Sequence, residues 1–314
     1  MMACTDRHYR YLARLMSQHV VLYTEMVTAK AVIHGDRERL LGYDASESPL
    51  VLQLGGSDPV ELAQASRIAE QYHYDEINLN VGCPSDRVQS GQFGACLMKS
   101  PELVGRCYAE MQKAVAIPVT IKTRIGVDEY DDYEFLFNFI QSVAKQGCQR
   151  FIIHARKAWL QGLSPRQNRE VPPLLYERVY HLKQDFPELK IEINGGIKTM
   201  SEIIGHLDHV DGVMIGREAY SNPYLISLFD SLFDHQAQAL SAEDVVKRFL
   251  PYVQSQLGRG VNLRHMIRHL TGMFPGVPGS RQWRRYLSEH GGDDVAGVEV
   301  ITRALACLQS PVMN

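Results

Sequence analysis

Several features are missing from this 314-residue sequence, and each absence narrows its chemistry. No apolar run approaches the ~20 residues that a membrane-spanning helix needs. The opening stretch MMACTDRHYRYLARLM holds no uninterrupted apolar segment, so no secretory signal is read and the cytoplasm is the expected location. The six cysteines, Cys4, Cys83, Cys96, Cys107, Cys148 and Cys307, include no C-x-x-C pair. That argues against a zinc site and, without an export signal, against a disulfide framework; most of these thiols are expected to be small buried hydrophobes. Acidic residues are absent from Lys247 to Arg285, where eight Lys or Arg occur. The net charge of −3 therefore leaves about −11 on the remainder. A charge run is often only a solvated helical face, but an acid-free stretch of this length suggests a surface for a polyanion.

Short β-rich runs alternate with longer segments of helical period. Strands are expected at Val20–Met26, Leu50–Leu54, Glu76–Asn80, Val119–Lys122, Phe151–His154, Ile191–Asn194 and Gly212–Ile215. They read as short apolar runs, as expected of parallel strands buried on both faces. Helices are expected between them, at Pro59–Tyr72, Pro101–Val115, Asp132–Gln146 and Leu174–Phe186. This alternation predicts an α/β fold, a TIM (β/α)8 barrel, with a doubly wound open sheet as the alternative. Polar residues fall at the ends of nearly every expected strand: Glu25, Gln53, Asn80, Lys122, His154, Asn194 and Arg217. A barrel builds its active site there. Beyond about Leu240 the pattern is helical, so residues 1–238 are expected to form the barrel and 239–314 a helical C-terminal domain.

Cys83 stands between Gly82 and Pro84, just after an expected strand. Glycine allows a sharp turn and proline fixes φ, which suits a thiol held at a loop mouth rather than in a core. Asn194-Gly195-Gly196 and Gly216-Arg217 follow the last two expected strands, the slots where barrels often bind phosphate. Taken singly, Lys122 fits a structural ion pair and His154 a core histidine. Together with Gln53 they would offer a cation, a titratable donor and an amide around one concavity. Such a set suits the polar edge of an isoalloxazine ring, where positive charge stabilises the reduced flavin.

The stretches LQLGGSDP, YDEINLNVGCPSDRVQSGQFGACLM, IPVTIKTRIGVD, FIIHARKAWLQGLSP, INGGIK, DGVMIGREAY and PGSRQWRRYLSE closely resemble the tRNA-dihydrouridine synthases, specifically the bacterial A type. The resemblance implies an FMN-dependent barrel with a helical C-terminal domain that uses NADPH to reduce uridine in the tRNA D-loop, at the positions conventionally numbered 20 and 20a. It implies that Gln53, Lys122 and His154 contact the flavin ring. Asn194, Gly195, Gly196, Gly216 and Arg217 would hold the ribityl phosphate. Cys83 matches the family's catalytic acid and Asn80 its substrate-facing asparagine. Arg166, Arg169, Gln282 and Arg285 match tRNA-contacting positions. The chemistry is consistent with a thiol acid. Addition of hydride at uracil C6 leaves C5 in need of a proton, and an ordinary cysteine with a pKa of about 8.5 is still mostly thiol near neutrality. The target base would have to leave its stack.

Two other classes remain open: a small-molecule flavin oxidoreductase of the dihydropyrimidine or dihydroorotate type, and a non-catalytic tRNA-binding protein. No metal, membrane or protein partner is implied, and a monomer is expected. The resemblance also implies that the first barrel strand is missing from this sequence. Met1 and Met2 would then be what remains of a flavin-contacting turn, and an unclosed barrel would leave two unpaired edges.

Overall fold

The computed structural model describes residues 1–293 and 296–309. They form two compact units. The first comprises Met1, Val21–Tyr43 and Ser48–Gly216, the second Met2–Val20, Asp44–Glu47 and Arg217–Asn314.

Among the described residues the first unit holds seven parallel strands: β1 (Leu22–Thr28), β2 (Leu50–Gly55), β3 (Glu76–Asn80), β4 (Val119–Arg124), β5 (Arg150–His154), β6 (Lys190–Asn194) and β7 (Gly212–Met214). Every expected strand is present, with ends shifted by up to two residues. β1 stops at Thr28 because the Thr28 hydroxyl accepts the Ala31 N–H and caps helix Ala29–His34. The spatial order runs β1 to β7 without a reversal. A doubly wound sheet changes direction at a switch point, so that alternative is excluded. The fold is of the (β/α) barrel type, with β1 and β7 as the edges of the sheet.

One expectation needs correction. The strands are not apolar on both faces. Leu52, Leu54, Ile77, Leu79, Ile121, Phe151, Ile153, Ile191 and Ile193 are fully buried at alternate positions. Between them stand Gln53, Glu76, Asn78, Asn80, Thr120, Lys122, Arg150, His154, Glu192 and Asn194. Period-two alternation sends these two sets to opposite faces. Helix Pro101–Ala114 packs against β4 and is flanked by helices Pro59–Glu70 and Tyr133–Ala144. The polar face carries the candidate site.

The second unit is helical. Helix Arg7–Met16 starts at Asp6, whose carboxylate accepts the Tyr9 N–H at 3.0 Å. It packs against helix Ala242–Gly258, with His8 Nδ1 2.8 Å from the Tyr252 hydroxyl and Tyr11 stacked on Tyr252. Arg10 forms a buried 2.6 Å ion pair with Glu47. Helix Ser280–His290 packs against Glu299–Gln309. Among the described residues no helix is long and apolar enough to cross a membrane. Only Cys107 and Cys148 are buried; Cys4, Cys83, Cys96 and Cys307 are partly exposed, and all six are free thiols. The expectation that most would be buried is thus corrected.

Candidate active site

β3 ends at Asn80, and the chain turns through Val81-Gly82-Cys83-Pro84. The turn is held from both sides. Asn80 Oδ1 accepts the backbone N–H of Gly82 and of Cys83, each at 3.0 Å. Arg124, at the end of β4, donates from Nε to the Gly82 carbonyl at 2.8 Å. The Cys83 carbonyl accepts the Ala95 N–H at 2.9 Å. A Cβ on Gly94 would come within 2.5 Å of that carbonyl, and Gly94 has φ +78°, so glycine is required there. The Cys83 thiol is half-buried, 3.5 Å from the Ser85 hydroxyl.

Register brings the neighbouring strands to this turn. Asn80 lies opposite Lys122, and Gln53 opposite Asn78. Gln53 Oε1 accepts from Asn80 Nδ2 at 2.8 Å, which joins the amide assigned to the flavin to the asparagine assigned to the substrate. The Lys122 ammonium has no hydrogen-bond or ion-pair partner among the described residues. Burial first, and the Arg124 guanidinium second, push its pKa down to about 7, against an opposing pull from Cys83. A cation held this way is suited to an anionic or electron-rich group that desolvates with it.

At β5 and β6, His154 lies opposite Asn194, and Asn194 Nδ2 donates to the Met214 carbonyl of β7 at 2.8 Å. Gly195 and Gly196 follow with φ +124° and +74°. A Cβ on Gly195 would stand 2.7 Å from His154 Cδ2, so this backbone approaches the histidine closer than any side chain would allow. Positive φ at both positions is a conformation that glycine alone adopts readily, and it leaves bare backbone at this turn. Gly216 follows two residues after β7, with the Met1 sulfur 3.4 Å from where its Cβ would be. Among the described residues, an unpartnered cation and a bare-backbone glycine turn stand on the same polar face, a donor set whose chemistry fits an anionic nucleotide cofactor.

The sequence model of the family Dihydrouridine synthase (Dus) matches residues 1–307. A tRNA-dihydrouridine(20/20a) synthase from Shewanella oneidensis is 56% identical over 314 residues, covering 100% of this chain and 93% of that protein. Proteins of the same name from Pasteurella multocida and Synechocystis sp. are 56% and 54% identical, covering 99% of this chain and 95% and 93% of theirs. The chain belongs to the dihydrouridine synthase family. It is an enzyme of the oxidoreductase class, and its family is flavin-dependent.

The remaining expected positions of this dihydrouridine synthase lie apart from the Cys83 turn in the chain. Arg166 and Arg169 are exposed in the loop after β5; Arg166 lies 3.6 Å from Glu170. Met2 is exposed, and Arg217 opens helix Arg217–Ser221; both belong to the second unit. Gln282 and Arg285 are exposed on helix Ser280–His290, also in the second unit. Trp283 beside them is fully buried and donates to the Leu270 carbonyl at 3.0 Å, so it is a core residue of this unit.

Arg124 escaped the reading from sequence. It is 4% exposed, and its Nη1 donates to the carbonyls of Lys157 at 2.9 Å and Asn168 at 3.2 Å. Burial lowers its pKa to about 10, so it remains a cation near neutrality. One side chain thus ties the Cys83 turn to the loop carrying Arg166 and Arg169. Its position two residues after Lys122 on the polar face was the available signal.

Proposed function

We propose that this enzyme reduces uridine to 5,6-dihydrouridine in the D-loop of tRNA, at the positions conventionally numbered 20 and 20a, in the cytoplasm, with FMN as cofactor and NADPH as reductant. FMN, when bound and reduced, would supply hydride chemistry at C6 of the uracil ring. The chain's own residues do the rest. Gln53, Lys122 and His154 hold the ring edge, and Asn194, Gly195, Gly196, Gly216 and Arg217 hold the phosphate. Met1 and Met2 add contacts to the cofactor. Asn80 faces the base, and the Cys83 thiol carries the proton delivered to C5. Arg166, Arg169, Gln282 and Arg285 contact tRNA.

The observation that carries this reading is the Cys83 turn. A thiol stands at the end of a barrel strand, its backbone pinned by Asn80 and Arg124, beside an unpartnered lysine. Proton donation needs a fixed acid more than an activated nucleophile, and the turn supplies a fixed one. The arginines of helix Ser280–His290 favour a polyanionic substrate over a free base.

Cys83→Ala tests the assignment. Dihydrouridine formation should fall by about two to four orders of magnitude, the range ascribed to a positioned acid. FMN content and the rate of flavin reduction by NADPH should stay at wild-type values, because neither uses the thiol. A variant that modifies tRNA at the normal rate would remove Cys83 from the mechanism.

A further inference from the structure

A continuous hydrogen-bonded line climbs the polar face of the first unit along β3. At its foot Arg150 Nη1 lies 2.6 Å from Glu76 Oε2. The Thr120 hydroxyl donates to Glu76 Oε1 at 2.5 Å and accepts from Asn78 Nδ2 at 2.9 Å. Asn78 Oδ1 accepts from Gln53 Nε2 at 2.9 Å, and Gln53 Oε1 accepts from Asn80 Nδ2 at 2.8 Å. The line ends where Asn80 Oδ1 accepts the Gly82 and Cys83 N–H groups. Glu76, Asn78 and Thr120 are at most 5% exposed.

The direction of the line is fixed from both ends. Backbone N–H groups can only donate, so Asn80 must present its oxygen to the turn. That leaves its NH2 for Gln53, whose NH2 in turn goes to Asn78, whose NH2 goes to Thr120. Independently, a carboxylate paired with arginine can only accept, so the Thr120 proton points at Glu76 and its lone pair at Asn78. Both ends dictate the same order. An amide reversed anywhere in the line would set NH2 against NH2 among buried groups, where such a clash is costly.

We propose that Glu76, Thr120 and Asn78 are positioning residues whose hydrogen-bonded line fixes the amide orientations of Gln53 and Asn80 and thereby holds the Gly82–Cys83 turn in place. The proposal rests on the assignment of Cys83 as proton donor, and it adds that the anchor of this turn lies at the opposite end of β3. Glu76 and Asn80 are four residues apart, so the line carries order over roughly 13 Å at about 3.3 Å per residue.

Thr120→Val keeps the shape of the side chain and removes the hydroxyl. Amide hydrogen exchange of the Gly82–Cys83 segment, in the full chain with and without added FMN, should accelerate at least tenfold. Alkylation of Cys83 by iodoacetamide should change with it, and kcat on tRNA should fall more than KM rises. Thr120→Ser restores the hydroxyl and should return all three readouts to near wild type. If Thr120→Val melts at a lower temperature while exchange at Gly82–Cys83 stays at the wild-type rate, the line is only structural and the proposal falls. That outcome leaves Cys83 as the acid untouched, whereas an active Cys83→Ala would remove the acid without altering the exchange result. Should Thr120→Val not fold, the wild type decides alone. Slow solvent exchange of the Gln53, Asn78 and Asn80 side-chain NH2 protons is expected, and fast exchange overturns the proposal.

Discussion

Lys122 combines two properties that oppose each other. It stands on a polar strand face, yet burial and the Arg124 guanidinium bring its pKa to about 7, so the ammonium is only partly charged near neutrality. An electron-rich partner restores the charge by favouring the protonated form. Lys122→Met should therefore lower the reduction potential of bound FMN, because a positive charge beside the ring stabilises the reduced form. A loss worth about 1.4 to 3 kcal/mol corresponds to roughly 30 to 60 mV for a two-electron couple. A reductive titration followed by visible absorbance reads this directly, and an unchanged potential would remove Lys122 from the ring edge. The lysine was legible in the sequence because it ended an expected strand. Arg124, Asn78 and Thr120 were missed: strand period could place them on the polar face, but not show that the arginine is buried and hydrogen-bonds four carbonyls. Their partners lie on other strands or loops, and register alone brings them together.

At the scale of elements, strand and helix positions followed from hydrophobic period, and the sequential strand order followed from the βα alternation. The faces did not. EINLN looks apolar when averaged, yet Glu76, Asn78 and Asn80 form one face and Ile77 and Leu79 the other. Helix Arg7–Met16 also passed unnoticed, although Asp6 as cap and Tyr9, Leu12, Ala13 and Met16 at helical spacing were the signals. Its affiliation with residues distant in sequence was beyond reach of any local pattern. That packing has a pH signature. His8 is buried against the Tyr252 hydroxyl, and burial lowers its pKa to about 4 from the ordinary 6.5. The folded state then binds this proton less tightly than the unfolded state. The stability that His8 contributes is complete well above 6.5 and is lost as pH falls through 6.5 toward 4. Between pH 7.5 and pH 5 the loss is about 2 kcal/mol, the slope approaching 1.36 kcal/mol per pH unit between the two pKa values. Asp6 acts in a lower window. Burial pushes its carboxyl up, but His269, the Tyr9 N–H and Arg268 together hold it well below the usual range, so its contribution persists until about pH 3.8 and fades below. Urea unfolding of wild type and His8→Gln at pH 7.5 and pH 5 should show the wild type losing about 2 kcal/mol more than the variant. Equal losses would mean that the histidine is not the sensor.

At the scale of the whole molecule, the charge asymmetry can be read residue by residue. Of the eight cations between Lys247 and Arg285, Arg268 is half-buried and bound to Asp6, so it belongs to the packing of the second unit. Lys247 is paired with Glu243 at 2.9 Å. Helix Ser280–His290 is different. Trp283 and Leu287, four residues apart, face inward and are fully buried, which turns Arg281, Arg284 and Arg285 to solvent. Arg285 lies 2.8 Å from Glu289, but an exposed, solvent-screened i,i+4 pair contributes little and yields readily to a phosphate. Replacing the three arginines by glutamine should therefore leave the buried anchor and the flavin site intact while weakening tRNA binding. Each phosphate no longer neutralised should reduce the slope of log K against log salt by about 0.7–0.9, so removing three cations changes it by roughly 2 to 3. Filter binding of tRNA across a salt series, on wild type and triple variant, measures both the affinity and the slope. Weaker binding with an unchanged slope would point to a disturbed helix rather than to unneutralised phosphates, and melting temperature separates the two. If affinity and slope both match wild type, this face is solvated charge only, and the grip on tRNA must come from the arginines after β5.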